Sequence, residues 1–227
     1  MSQFKYLLFD ADETLFDFKQ AERHGISETL RQVNGPVTQE IIDEYHAYND
    51  SLWKALERGE ITKAALKTDR FRHLIEKFDI RGTTPEEMAA KYEYNLAQGC
   101  YLLPGAKEVL ATLSDKYHCS IVTNGIAYVQ HTRFDASGLQ PYIKHLFISD
   151  EMGVQKPAAR FFQMVLEQLG AEPQECLVIG DSLSSDMLGA YNAGLPKCLY
   201  NRTGKSHNAL FPNEYEIHSL EELYDIL

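Results

Sequence analysis

The sequence has no apolar run long enough to span a bilayer, which excludes a helical membrane protein. It is poor in cysteine: Cys100, Cys119, Cys176 and Cys198 are widely spaced and form no C-x-x-C pair. A disulfide framework and a cysteine zinc site are therefore not expected, and the thiols read as free and mostly buried. Eight histidines include no H-x-x-x-H spacing, which removes the commonest helical zinc motif. Basic residues are in deficit, 22 against 33 acidic ones, for a net charge of −11. That balance argues against a nucleic acid polymer or an anionic membrane as partner, because both require a basic face. Gly204-Lys205-Ser206 resembles the end of a phosphate loop, but the glycine required five residues earlier is Leu199. No repeat or low-complexity segment is present. The opening MSQFKYLLFD meets a carboxylate too early for a secretory signal, so a cytoplasmic location is expected.

What is present falls into two patterns. From Phe18 to about Gly99, apolar residues recur at helical spacing in four segments. One runs from Thr38 to Arg58 and another from Thr62 to Phe78, with breaks at Asn34-Gly35-Pro36, Gly59 and Gly82-Thr83-Thr84-Pro85. From Pro104 onward, short apolar runs alternate with helical ones. Strands are predicted at Cys119–Thr123, His145–Ser149, Cys176–Asp181 and Lys197–Tyr200, and helices at Gly105–Lys116, Tyr128–Ser137, Ala158–Leu169 and Ser185–Ala193. Such alternation means a parallel sheet covered on both faces. The run Tyr-Leu-Leu-Phe at residues 6–9 belongs to this sheet. The fold class is therefore α/β: a Rossmann-like parallel sheet with helices on both faces, interrupted after its first strand by an all-helical insert. The expected domains are residues 1–17 with 100–227, and residues 18–99.

Ligands of open parallel sheets bind at the carboxyl ends of the strands, and there the polar residues collect. Asp10 and Asp12 follow the first strand, Thr123-Asn124-Gly125 ends another, and Asp181 follows a third, with Asp186 just beyond. Lys156 precedes a predicted helix. Three carboxylates at Asp10, Asp12 and Glu13 repel one another and lose solvation where water is partly excluded, so something must compensate them.

The segments FDADETLFDF, IVTNG, GVQKP and IGDSLSSDMLGA, together with the helical insert, resemble the haloacid dehalogenase-like hydrolase superfamily across essentially the whole chain. The resemblance implies a phosphomonoester hydrolase with Asp10 as nucleophile and metal ligand. It implies that Asp12 supplies a backbone carbonyl to the metal and its carboxyl as general acid, then base. Asp181 and Asp186 would complete the metal site, while Thr123, Asn124 and Lys156 would hold the phosphate. Clustered carboxylates without Cys or His suit a hard cation, and Mg²⁺ is the expected cofactor. Glu13 stands where many relatives have Gly, and its charge is expected to keep Asp12 protonated. The insert implies a cap, and YNDSLWKALERGEIT with Arg70-Phe71 looks like that of the bacterial pyrimidine 5′-nucleotidase branch. UMP, dUMP and dTMP are the implied substrates, with phosphoglycolate or a sugar phosphate as the alternative. A phospho-accepting signalling module is the more distant one. Phe16, Phe18, Trp53 and Phe71 are candidates to contact the base by stacking.

Overall fold

The computed structural model describes residues 4–204, 206 and 212–227, so Lys205 of the rejected phosphate loop lies outside the described residues. The chain divides into two compact units, Met1–Asp17 with Tyr101–Leu227, and Phe18–Cys100. Cys100 thus groups with the helical insert.

The insert comprises α1 (Phe18–Gln32), α2 (Gln39–Glu57), α3 (Lys63–Phe78) and α4 (Pro85–Ala97). The last three begin alike. The hydroxyls of Thr38, Thr62 and Thr84 accept from the backbone N–H groups of Ile41, Ala65 and Glu87 at 3.3, 3.2 and 3.1 Å. Each cap satisfies a donor that the helix leaves open and contributes about 1 kcal/mol. Pro85 opens α4, where a missing N–H costs nothing. Ile26, Leu30, Tyr45, Leu66, Phe71, Leu74, Met88 and Tyr92 form the interior.

The other unit contains β1 (Tyr6–Phe9), α5 (Ala106–Leu113), β2 (His118–Thr123), α6 (Ala127–Ser137), β3 (Ile143–Ile148), α7 (Ser149–Met152) and α8 (Ala159–Leu169). It continues through β4 (Cys176–Gly180), a π-helical turn (Leu183–Met187), α9 (Leu188–Ala193), β5 (Lys197–Tyr200), β6 (Tyr215–Ile217) and α10 (Leu223–Ile226). The strands form one parallel sheet in the order β3-β2-β1-β4-β5-β6. Leu7, Leu8, Phe9, Ile121, Val122, Leu177, Val178 and Ile179 are all fully buried, as expected of strands covered on both faces. Each such side chain contributes about 1.5–3 kcal/mol on burial.

Register positions the chemistry. Phe9 pairs with Ile121 on one side and Ile179 on the other, so β1, β2 and β4 end at nearly one level. The chain leaves β1 on one side to build β2 and β3, and on the other to build β4 to β6. This switch point is where α/β sheets open a crevice. Two predicted elements change character at one end. The strand expected at His145–Ser149 ends at Ile148 and yields to α7, and the helix expected at Ser185–Ala193 begins as the π turn. The three-residue β6 was not predicted; at a sheet edge it needs no long apolar run. Among the described residues no helix is long and apolar enough to cross a membrane.

Candidate active site

Asp10 extends β1 by one step, donating its N–H to the Ile179 carbonyl at 2.8 Å. The chain then turns sharply, with the Ala11 carbonyl accepting from Leu15 and Phe16 at 2.9 and 2.8 Å. Glu13 takes φ +61° in this turn. Glycine adopts such a conformation freely, whereas an L side chain costs about 1–2 kcal/mol. The Glu13 carboxylate accepts from Arg202 at 2.9 Å.

Carboxylate oxygens of Asp10, Asp181 and Asp186 converge within 4.8 Å of one another. Asp10 and Asp186 are buried, and Asp181 lies nearer the rim. Lys156, only 1% exposed, places its ammonium among them. It donates to Asp10 Oδ1 and Asp186 Oδ1, both at 2.6 Å, and to the Val122 carbonyl at 2.7 Å. Lys156 precedes α8, which begins at Ala159, as expected from the sequence, and its ammonium reaches the protein oxygens of the site.

The amide of Asn124 braces this lysine. Oδ1 accepts from the Lys156 N–H at 2.9 Å, and Nδ2 donates to the Lys156 carbonyl at 2.8 Å and to Ser185 Oγ at 3.2 Å. The Asn124 side chain therefore supports the site's cation. Thr123 is buried at the end of β2, where its Oγ1 accepts from the Gly125 N–H at 3.1 Å and its own O–H can donate to a ligand oxygen.

Electrostatics decide what the trio can hold. Burial, then the neighbouring Asp186 charge, push the Asp10 carboxyl up to about 7 in spite of Lys156. Asp181 is pushed well above the carboxylate range by desolvation in the crowded pocket and by Asp10 and Asp186. Burial alone would lower Lys156, but Asp10 and Asp186 outweigh it and raise its pKa. Once all three carboxylates ionise, as they must to bind a cation, one ammonium leaves two negative charges (−3 + 1 = −2). Oxygen-only donors with that residual charge fit a divalent hard cation such as Mg²⁺.

Asp12 does not join this convergence through its carboxylate. Its Oδ1 accepts from Arg133 Nη1 at 2.6 Å and its Oδ2 from Gln130 Nε2 at 2.7 Å, both on α6. Neither α6 residue was expected at the site. The available signal was polar side chains three residues apart on the helix's buried face, beside Val129.

The aromatic candidates separate by burial. Phe16 is buried in the α/β unit beneath the Arg133 guanidinium, 4.7 Å from its ring centroid. Phe71 is fully buried in the helical unit, 5.7 Å from Tyr45 and 5.5 Å from Tyr92 between ring centroids. Both rings are core, so neither presents a free face to a base. Trp53 is half-buried beside Leu52, Leu56 and Leu66, and Phe18 is half-buried at the start of α1.

Comparison with known proteins places these observations. The family model for haloacid dehalogenase-like hydrolases matches residues 4–194. The HAD-hydrolase YfnB of Bacillus subtilis is 35% identical over 100% of this chain and 97% of its own length. Its magnesium-bound crystal structure, described as revealing interdomain movement, superposes with a TM-score of 0.93 over 98% of both chains at 34% identity. The pyrimidine 5′-nucleotidase PynA of Streptococcus pneumoniae is 35% identical over 99% of this chain and 95% of its own. The pyrimidine 5′-nucleotidase YjjG of Escherichia coli is 32% identical over 98% and 97%, respectively. On a matched model spanning most of its length and relatives above 30% identity over nearly all of it, the chain belongs to the haloacid dehalogenase-like hydrolases.

Proposed function

We propose that this phosphomonoester hydrolase acts on pyrimidine nucleoside 5′-monophosphates, with UMP, dUMP and dTMP as substrates, through a phosphoryl group carried on Asp10. The observation that carries the chemistry is the convergence of Asp10, Asp181 and Asp186 around Lys156 at the carboxyl ends of β1, β2 and β4. The choice of substrate rests on the two nucleotidase relatives. In this reading residues 1–17 with 100–227 are the catalytic core and residues 18–99 its cap. The partner is a small phosphate ester. The protein works in the reducing cytoplasm, in keeping with four cysteines that are all free thiols.

Asp10 attacks phosphorus and the bond to the leaving oxygen breaks, with Asp12 giving that oxygen its proton. Water then attacks the aspartyl phosphate, Asp12 takes a proton from the water, and Asp10 is regenerated with release of inorganic phosphate. Lys156 fixes the nucleophile's Oδ1 and offsets the repulsion between Asp10 and Asp186. The Thr123 hydroxyl and the backbone N–H groups around Asn124 receive the phosphoryl oxygens. Mg²⁺ would be held by Asp10, Asp181, Asp186 and the Asp12 carbonyl, and when bound it supplies positive charge to the phosphate oxygens.

Initial rates across a panel of phosphate esters, with and without Mg²⁺, test the reading. UMP, dUMP and dTMP are expected to exceed phosphoglycolate and hexose phosphates in kcat/KM by about ten-fold or more, a difference of about 1.4 kcal/mol in transition-state binding. The opposite ranking overturns the nucleotide assignment.

A further inference from the structure

Asp12 stands on the turn after β1 with a side chain 26% exposed, a setting in which a short carboxylate ordinarily samples several rotamers. Here both of its oxygens are engaged. Arg133 donates to one at 2.6 Å and Gln130 to the other at 2.7 Å. These donors are themselves fixed, being 0% and 2% exposed and one turn apart on α6. The Arg133 guanidinium lies over the Phe16 ring at 4.7 Å, and Phe16 belongs to the same turn as Asp12. Gly125 makes room for the other donor, because a Cβ there would lie 2.2 Å from Gln130 Nε2. Two segments distant in sequence thus meet on one carboxyl group, the turn after β1 and the buried face of α6, with Gly125 just before α6 leaving room for the contact.

We infer that Gln130 and Arg133 are positioning residues that fix the direction of the Asp12 carboxyl for its work at the leaving oxygen. The inference rests on the proposed role of Asp12. A carboxyl that serves the departing oxygen and then the incoming water must hold one place through two displacements, and misplacement by about 1 Å can cost on the order of 10²-fold in rate. Burying a guanidinium is also expensive unless it is paired and hydrogen-bonded. Arg133 is buried where its Asp12 contact provides that pairing.

A purely structural role for α6 would slow every substrate alike, so the test uses leaving groups of different need. The ribose 5′-oxygen of UMP leaves poorly without a proton, whereas p-nitrophenolate leaves readily without one. In both cases kcat/KM reports the steps through departure of the leaving group. Gln130→Ala and Arg133→Lys are measured on UMP and on p-nitrophenyl phosphate, beside Asp12→Asn and the unaltered enzyme, with thermal unfolding as a check on folding. Both variants are expected to lower kcat/KM for UMP by about 10- to 10²-fold and that for p-nitrophenyl phosphate by less than about 3-fold, a fraction of the usual effect of general acid catalysis. Asp12→Asn is expected to show the same skew, larger. Equal losses on both substrates in the two α6 variants, with Asp12→Asn skewed, overturn the positioning role. If Asp12→Asn shows no skew, the proposed acid role fails and the inference falls with it. Should Arg133→Lys not fold, Gln130→Ala decides alone, because it leaves the Arg133 contact in place.

Discussion

Lys156 stands three residues ahead of α8, yet its ammonium reaches the sheet and donates to Asp10, Asp186 and the Val122 carbonyl. One charge cannot balance three carboxylates, and the imbalance has a measurable consequence. Asp10, pushed up to about 7, and Asp181, also raised, hold protons in the folded cation-free protein that the unfolded chain releases near its ordinary value of about 4. Between those limits the folded state binds more protons than the unfolded one, so stability falls as pH rises. The cation-free protein is therefore expected to lose melting temperature from about pH 4 to pH 7, and Mg²⁺ should restore it most at the upper end, where both carboxyls must ionise to bind. Differential scanning calorimetry across that range checks this. A melting temperature that is flat with pH and indifferent to Mg²⁺ would contradict it. At this scale the carboxylates themselves were legible, because each interrupts or follows an apolar run. The reach of Lys156 was not, since its partners lie 146 and 30 residues away and meet it only through the register of β1, β2 and β4. The contact from Arg202 to Glu13 was equally hidden, since the two residues lie 189 positions apart.

Among the elements, β4 and the π turn after it shape the face where Asp181 and Asp186 meet Asp10. The Ser182 carbonyl accepts from both Asp186 and Met187 at 3.0 Å, which widens the first turn beyond α-helical dimensions. Asp186 is thereby laid over Gly180, where an added Cβ would meet its Oδ2 at 2.3 Å and its Cβ at 2.7 Å. Gly180→Ala should leave the strand intact but push Asp186 away from the trio. Its affinity for Mg²⁺, read by isothermal titration, is expected to fall by about 10- to 100-fold, as for other supports of a metal ligand. An unchanged affinity would show that Asp186 does not need this seat. The sequence made the strand itself legible through Cys176–Ile179, an unbroken apolar run. It could not reveal the π turn, because Leu-Ser-Ser-Asp-Met carries the same signals as an ordinary capped helix start. The edge strand β6 escaped for lack of length.

For the molecule as a whole, the insertion between Asp17 and Tyr101 leaves the α/β unit closed on itself. Asp17 donates to the Tyr101 carbonyl at 2.9 Å, and Leu103 donates to the Leu15 carbonyl at 2.9 Å. The change from helical spacing to alternating strands and helices made this organisation legible, because the two patterns bury apolar residues at different periods. Base recognition was not legible. Aromatic residues at helical spacing read the same whether they fill a core, as Phe71 does, or meet a ligand. The charge of −11 is also no obstacle to an anionic substrate, since local charges such as the buried Lys156 ammonium set the field at the site. All of this turns on one carboxylate. Enzyme quenched in acid during turnover of UMP in Mg²⁺, digested and weighed by mass spectrometry, should carry a single phosphoryl group on the peptide containing Asp10, and Asp10→Asn should carry none and turn nothing over. A turning-over enzyme with no phosphoryl group on that peptide, or an Asp10→Asn variant of undiminished kcat, would contradict the account.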